Sequence, residues 1–225
     1  MSDTLKQGSI ASAAAAGAAI YSKRVLSVYD LGVIKVSNQL AWRCPSDLIL
    51  DFYNQHISAN HLDVGVGTGY FLDKCRFPSS TPQIALLDLN PNSLTMTAAR
   101  LRRYHPTTYL VNVLEPITFD IPTFDSIALN YLLHCLPGSM RSKQVVFDNL
   151  QPWLNPGGVV FGTTILGQGI RPNVLARKLM RLYNAKGIFS NSEDNLNDLE
   201  AILQRSFQGY WTNVVGCVAF FAGRV

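Results

Sequence analysis

Three glycines at alternate positions, Gly65, Gly67 and Gly69, follow a short apolar run in the stretch His61–Asp73, which reads HLDVGVGTGYFLD. The apolar run predicts a strand, and the residues after the glycines are compatible with a helix. Glycine lacks a Cβ atom, so it tolerates positive φ and allows a ligand to approach the main chain. Unpaired N–H groups at the start of the helix would face that ligand. The stretch therefore predicts a strand–turn–helix unit that binds a ligand with its backbone.

Composition indicates one globular domain with a small positive charge. The 225 residues are 48% hydrophobic and 15% charged, which is typical of a single domain with an apolar core. The formal net charge of +4 is too small to indicate nucleic acid or an anionic membrane as a partner. We therefore expect no nucleic-acid or membrane partner, and the oligomeric state stays open between monomer and homodimer.

Cysteine spacing and the N-terminal composition bear on metals and on localisation. The four cysteines lie far apart, without the close pairs of a zinc site, so we predict no metal centre. They also suggest no disulfide framework, and free thiols favour a reducing compartment. Residues 9–20 are rich in Ala, Gly and Ser but lack the Leu-rich centre and basic start of a signal peptide. We expect a cytoplasmic protein whose residues 1–20 form a flexible tail.

Strand and helix signals alternate along the chain after the glycines. Short apolar or β-branched runs predict strands, and segments with helical spacing separate them. Including the strand before the glycines, five predicted strands alternate with helices, which indicates a parallel sheet with helices on both faces. The four later runs are 83–88, 107–111, 124–130 and 159–166.

The C-terminal part of the chain departs from this alternation. Residues 171–184 and 192–205 have helical spacing, and the second helix is predicted to start with Ser192–Asp194 as cap and first-turn acids. Residues 207–222 then hold two strand-like segments that meet near Val214. We expect no internal repeat and no second domain.

The glycine turn does not match the common phosphate-binding motifs. A dinucleotide fold requires G-x-G-x-x-G, but the sixth position is Tyr70 counted from Gly65 and Leu72 counted from Gly67. A P-loop is excluded because no Gly-Lys-Ser/Thr follows the turn. Asp88 stands at a strand end 19 residues after the last glycine, where an acid can accept hydrogen bonds from ribose hydroxyls. The site suits a nucleoside without a phosphate group.

These residues resemble the class I S-adenosylmethionine-dependent methyltransferases over roughly residues 60–222. The resemblance implies an α/β fold: a doubly wound, mostly parallel seven-stranded sheet with an antiparallel terminal β-hairpin and N-terminal capping helices. Motifs similar to those of the family are the glycine motif Leu62–Gly69, the ribose acid Asp88, the fourth-strand motif Asn130–Leu136, the turn Asn155–Gly158 and the terminal hairpin.

The resemblance also implies a division of the single methyltransferase domain, 21–225. The cofactor would lie in a central core, and the acceptor would lie between the N-terminal helices, the loop of His134 and a later insertion. That insertion has glycines around a basic helix, so it could act as a lid. The implied parts are capping helices 21–58, a cofactor-binding core 60–165, a lid-like insertion 166–191 and a terminal hairpin 207–222.

S-adenosylmethionine is the implied cofactor, with S-adenosylhomocysteine as its product. Asp88 would bind the ribose and Leu89 would border the adenine. Asn112 stands where the family often has an Asp near the adenine amino group, and a simple turn residue is the alternative. The implied cofactor-binding residues are Asp63, Gly65, Gly67, Thr68, Gly69, Asp88, Leu89, Asn112, Val113 and Asn130.

His134 is the candidate catalytic residue, because it is the only histidine in the predicted site region. Histidine titrates near neutral pH, so it could deprotonate an acceptor. It could equally pack under the cofactor or position the substrate. The candidate substrate-binding residues are Tyr21, Tyr29, Trp42 and Tyr131, with core packing as the alternative for those of the N-terminal helices.

The predicted function is transfer of a methyl group to a small-molecule acceptor in secondary metabolism, with oxygen as the first choice of methylated atom. DNA methylation is disfavoured because the fourth-strand motif reads Asn130-Tyr131-Leu132-Leu133 and lacks the Pro-Pro of the amino-methylating enzymes. Two alternatives remain open. One is a cyclase or pericyclase on the same fold that transfers no methyl group. The other is a regulatory protein that holds the cofactor without chemistry.

Overall fold

The computed structural model describes residues 36–118 and 120–225. The predicted tail 1–20 lies outside the described residues, and so do Tyr21 and Tyr29 of the predicted capping helices. None of the described helices is long and apolar enough to cross a membrane.

Seven strands form one sheet in the order β3-β2-β1-β4-β5-β7-β6. The pairs among β1 to β5 are parallel, whereas β7 is antiparallel to both β5 and β6. This arrangement confirms the predicted fold class. The strands are β1 (Asn60–Val64), β2 (Gln83–Asp88), β3 (Thr107–Leu110), β4 (Phe124–Asn130), β5 (Leu154–Ile165), β6 (Gly209–Val215) and β7 (Val218–Arg224).

Helices fill most connections between strands, although none is described between β3 and β4, and asparagine side chains begin three of the helices. Asn90, Asn173 and Asn195 each accept a backbone N–H at the start of a helix, which satisfies a donor that has no partner inside the helix. A π-helical turn, Ser37–Trp42, precedes α1 (Ser46–His56), α2 (Tyr70–Lys74), α3 (Pro91–Arg100), α4 (Gln144–Leu150), α5 (Val174–Ala185) and α6 (Leu196–Ser206). Single 3-10 turns occur at Arg102–Tyr104, Leu133–Cys135, Met140–Lys143 and Gln151–Trp153.

The sheet is buried on both faces, because consecutive residues of a strand enter different cores. In β2, Leu86 belongs to the core that contains Tyr53 of α1. Its neighbour Leu87 belongs to the core that contains Phe147 of α4. Burial on both faces explains why the inner strands read as continuous apolar runs.

The start of β5 differs from the prediction of a turn followed by a strand. Asn155–Gly158 lies within β5, where Gly157 has φ 78°. Phe124 of β4 pairs with Leu154, whereas Ser126 pairs with Val159, so the intervening residues bulge out of the ladder. A bulge adds extra residues to a strand without ending it. The sequence Asn-Pro-Gly-Gly is compatible with either a turn or a bulge, so the sequence alone does not distinguish them.

The predicted start of the last helix is wrong. Asn195, not Ser192–Asp194, caps α6, and its side chain accepts a hydrogen bond from Asp198 N–H. Asp194 is fully buried and its carboxylate lies 2.6 Å from Lys143 Nζ. Asp194 does not serve the first turn of α6, because it forms a buried ion pair with a residue distant in sequence.

The topology places a crevice at the carboxyl ends of β1 and β4. The chain winds from β1 through β2 to β3 in one direction, and then returns to β4 on the other side of β1. Ligands of open α/β sheets bind where the strand order reverses in this way. The glycine turn follows β1 directly, so it lies at that crevice.

Candidate active site

All three glycines of the turn adopt left-handed backbone conformations, with φ of 69° at Gly65, 53° at Gly67 and 69° at Gly69. A Cβ atom would lie 2.6 Å from Leu132 Cδ1 at Gly65, and 2.6 Å from Thr97 Cγ2 at Gly69. At Gly67 nothing would lie within 4 Å. Gly65 and Gly69 therefore permit tight packing, whereas Gly67 leaves open space in which a ligand can approach the backbone.

Asp88 lies at the end of β2 and faces the glycine turn. Its Oδ2 accepts a hydrogen bond from Gly67 N–H at 3.4 Å, and its Oδ1 accepts one from Asn90 N–H at 2.8 Å. Burial raises the pKa of this carboxyl to about 6, against the opposing effect of the N–H donors. Asp88 is therefore ionised at neutral pH and offers acceptor oxygens at the turn.

Asp63 of β1 is tied to helix α1 by the Tyr53 hydroxyl, which donates to Asp63 Oδ2. Burial and then the charge of Asp63 raise the pKa of Tyr53 well above its ordinary value, so the hydroxyl keeps its proton. His61 Nε2 lies 3.8 Å from the same carboxylate. Sequence reasoning missed Tyr53, because one more aromatic residue on an amphipathic helix reads as core.

Asn130 ends β4 beside the glycine turn. Its Oδ1 accepts a hydrogen bond from Thr163 Oγ1 at 2.6 Å. Its Nδ2 is buried and has no hydrogen-bond partner among residues 36–118 and 120–225. An unsatisfied buried amide costs about 1–3 kcal/mol, so a ligand acceptor placed here would be favoured.

Asn112 borders the same cavity, but its side chain already serves a turn. Its Nδ2 donates to Glu115 Oε1 at 2.9 Å, and its Oδ1 accepts from Leu114 N–H at 3.2 Å. This geometry supports the alternative that Asn112 is a simple turn residue. Val113 and Leu89 offer apolar contacts at the cavity wall instead, and Thr68 lies buried within the glycine turn.

The predicted cofactor-binding residues border one cavity of about 250 Å³. The rest of its wall is mostly apolar and aromatic. Trp42 and Tyr131, two of the candidate substrate-binding residues, belong to that wall. Helix α5 and the loop after it supply further residues, so the insertion 166–191 does reach the cavity. These residues, which sequence reasoning did not single out, are Tyr183, Ile188 and Phe189.

Tyr131 takes an unusual conformation directly after β4. Its φ of 53° is rare for a bulky residue and costs of order 1–3 kcal/mol, which the surroundings must offset. Its hydroxyl donates to Asn38 Oδ1 at 3.0 Å, and Asn38 Nδ2 donates to Ser46 Oγ at 3.0 Å. The strained backbone thus directs the ring across the cavity to the π-helical turn. Asn38 carried no signal in the sequence.

His134 is buried in the 3-10 turn after β4 and borders the cavity. Its Nδ1 accepts a hydrogen bond from Ile165 N–H at 3.3 Å. The ring meets Phe189 edge-on, with 4.5 Å between ring centroids. Burial, and to a smaller extent the positive charge of Lys143, lower the pKa of His134 to about 3. The imidazole is therefore neutral under ordinary conditions.

The arrangement combines a polar half with an apolar half in one cavity. Backbone, carboxylate and amide groups lie at the glycine turn, and aromatic side chains line the remainder. Within the ranges that the structure describes, no cluster of three or more His, Cys, Asp or Glu could hold a metal ion. The geometry suits a nucleoside held beside a second, largely apolar molecule.

Comparisons with known proteins find methyltransferases. A family described as a methyltransferase domain matches residues 62–160. The demethylluteothin O-methyltransferase of Streptomyces thioluteus is 43% identical over 205 residues, covering 91% of this chain and 89% of its own length. The physcion biosynthesis cluster O-methyltransferase of Aspergillus chevalieri is 37% identical over 207 residues, covering 91% and 93%.

A solved structure is similar to this chain in fold. The DhpI–SAH complex superimposes with a TM-score of 0.66 and covers 94% of this chain and 96% of its own. Its sequence identity is 13%, so this likeness concerns the fold alone.

Proposed function

Since the chain belongs to the class I S-adenosylmethionine-dependent methyltransferases, we propose that it transfers a methyl group from S-adenosylmethionine to a hydroxyl oxygen of a small molecule in secondary metabolism. Two relatives that are similar over nearly their whole lengths carry O-methyltransferase names. The observation that carries the proposal is the single cavity shared by the glycine turn and an aromatic wall, because both reactants need to meet there.

The residues at the glycine turn fit S-adenosylmethionine. Asp88 offers two carboxylate oxygens, which suit the two ribose hydroxyls. Gly67 leaves space for a close approach to the main chain, and the unpartnered Nδ2 of Asn130 could donate to an acceptor on the ligand. Leu89 and Val113 would contact the adenine ring. Asn112 would contribute through its backbone, since its side chain is engaged in the turn.

S-adenosylmethionine supplies a methyl group on a positively charged sulfur, which a nucleophile displaces. The protein contributes by alignment. Holding two reactants at near-attack distance supplies roughly 7–11 kcal/mol of the barrier reduction. Tyr131 and Trp42 would contact the acceptor at the cavity wall. The hydrogen bond to Asn38 holds the Tyr131 ring in place, and burial against Phe189 holds the Trp42 ring. Burial also excludes water, which would otherwise compete as a nucleophile.

Turnover with hydroxyl compounds tests this proposal. The purified chain, S-adenosylmethionine and a panel of phenols and enols should give S-adenosylhomocysteine and an O-methyl product in equal amounts, measured by mass spectrometry. A rearranged acceptor without S-adenosylhomocysteine would support the non-methylating alternative. Methylation confined to amines or thiols would contradict the choice of oxygen.

A further inference from the structure

The tautomer of His134 is fixed by the neighbouring strand. Because Nδ1 accepts the Ile165 N–H, its lone pair is occupied and the proton of the neutral ring resides on Nε2. Moving that proton to Nδ1 would place the Nδ1–H and Ile165 N–H donors against each other. Ile165 cannot move away, because it is paired with Val218 in the sheet. The nitrogen left to face a ligand is therefore a donor.

The groups around His134 hold this arrangement in place. Lys143 is fully buried and its Nζ donates to Asp194 Oδ2 at 2.6 Å and to Ser190 O at 2.8 Å. Ser190 N–H in turn donates to His134 O at 2.8 Å. The charge that faces His134 is thus positive but paired, and Tyr131 and Cys135 are its other titratable neighbours. A buried cation nearby opposes a second positive charge on the imidazole.

No other described group on the cavity wall is suited to remove a proton from an acceptor. No Lys, Arg or Glu among the described residues, 36–118 and 120–225, lines the cavity. Asp63 is engaged by Tyr53, and Asp88 by two backbone N–H groups at the glycine turn. Burial raises the pKa of the Cys135 thiol to about 12, so it is not ionised. Tyrosine hydroxyls act as donors near neutral pH.

We infer that the acceptor is an intrinsically acidic hydroxyl, such as an enol or an electron-poor phenol, which binds as its anion, and that His134 donates an Nε2–H hydrogen bond to it. This inference rests on the proposed function and names the substrate class of the same site. An ordinary phenol would stay protonated, because an apolar wall favours the neutral form of a bound acid.

The chemistry balances without a base from the described residues of the cavity wall. The acceptor loses its proton to solvent before it binds. Its oxygen then forms the O–CH₃ bond with a lone pair while the S–CH₃ bond breaks, and the electrons of that bond stay on sulfur. The anion and the sulfonium cation thereby become a neutral ether and a neutral thioether. His134 keeps its proton throughout and only orients the oxygen.

A series of para-substituted phenols of similar size, from nitro through cyano and chloro to methyl, tests the substrate class. We expect kcat/KM at neutral pH to be highest for nitrophenol and to fall as the hydroxyl becomes less acidic. Each pH profile should rise up to the pKa of that acceptor in solution. A break at one shared pH for all acceptors, with methylphenol as good as nitrophenol, would overturn the inference.

Variants at position 134 separate a donor from a base. His134→Gln keeps an oxygen for Ile165 N–H and an N–H₂ donor but has no basic nitrogen, whereas His134→Phe has neither. We expect His134→Gln to retain most of kcat and His134→Phe to lose roughly 10- to 100-fold, the effect of one hydrogen bond to a charged group. Equal loss in both variants, with both still folded, would identify a base.

Nitrogen-15 NMR of the intact chain gives a result that needs no turnover. The two ring nitrogens of His134, assigned by comparison with His134→Gln, should report a neutral Nε2–H tautomer between about pH 5 and pH 8. Protonation in that range, or an Nδ1–H tautomer, would overturn the inference even if no phenol of the series is a substrate. Methylation of amines alone, with this tautomer present, would contradict the proposed function instead.

Discussion

At the scale of single residues, the sequence predicts a chemical role most directly where that role depends on backbone conformation. The glycines of the turn were found from their spacing, because positive φ demands that residue type. The roles of His134 and Asn112 depend on hydrogen bonds to Ile165 and Glu115, which no local pattern encodes. Residue type therefore located the site, and the folded neighbours decided what each polar atom is free to do.

Two of the glycines should respond differently to the same change. Gly65→Ala and Gly67→Ala each place a methyl group at positive φ, which costs roughly 1–2 kcal/mol of stability. Gly65→Ala should lose roughly a further 1–3 kcal/mol, because its Cβ meets Leu132. Gly67→Ala should fold better but bind S-adenosylmethionine roughly 5- to 150-fold more weakly, since its methyl group fills the ligand's space.

Urea unfolding and calorimetry of both variants check this contrast. Normal S-adenosylmethionine binding by Gly67→Ala would show that the open space beside this glycine is not used.

We expect the ionised carboxylate of Asp88 to reduce the stability of the folded protein at neutral pH. Its pKa of about 6, against 3.8 for an ordinary Asp, means that the folded protein binds the proton more tightly than the unfolded chain does. The stability it contributes is complete below about pH 4 and is lost as the pH rises through about 6. Asp88→Asn cannot ionise, so it should be about 1–2 kcal/mol more stable than wild type at pH 7.

Urea unfolding at pH 4 and pH 7 measures the difference, which should shrink in acid. A variant that is less stable than wild type at pH 7 would show that the carboxylate is stabilised, not penalised, by its surroundings.

At the scale of elements, periodicity predicted which segments are strands and helices, but not how their ends are built. The bulge at the start of β5 was not predicted, because it depends on the register with β4, a strand distant in sequence. The Asn195 cap of α6 has a local partner, Asp198 N–H, but the sequence favours Ser192–Asp194 as the helix start instead. Asp194 is the clearest case. In the sequence it is typical of a first-turn acid. In the structure it lies before α6 and forms a buried ion pair with Lys143 of the 3-10 turn before α4.

The Lys143–Asp194 pair should behave as a buried ion pair that anchors the loop over the cavity. Lys143→Met or Asp194→Leu alone should cost about 3–5 kcal/mol of unfolding free energy, because each leaves a buried charge without a partner. The double variant should recover most of that loss.

Arg141 supplies a matched control next to this pair. It bonds to Asp198 at 2.8 Å but is largely exposed, so Arg141→Met should cost no more than about 1 kcal/mol. Denaturant unfolding of the four variants gives the comparison. Additive losses in the double variant would contradict a coupled pair.

At the scale of the whole molecule, the order of motifs predicted the fold, and the fold then explains where the site lies. A doubly wound sheet places the ends of β1, β2 and β4 at one crevice, so the glycine turn, Asp88 and Asn130 converge there. The acceptor side could not be predicted in the same detail. Its aromatic wall joins two segments distant in sequence: Trp42, which the sequence proposed, and Tyr183 with Phe189 of the later insertion, which read only as apolar sequence.

Calorimetric titration of the purified chain with S-adenosylmethionine, and with S-adenosylhomocysteine, tests the central claim most directly. Wild type should bind one equivalent of either ligand. Asp88→Asn should weaken binding by roughly 1–3 kcal/mol, because it removes charged hydrogen bonds to the ribose. Asp125→Asn, at an exposed acid that bonds to Asn155, should bind like wild type. No binding by wild type, or equal affinity in the Asp88 variant, would contradict the account.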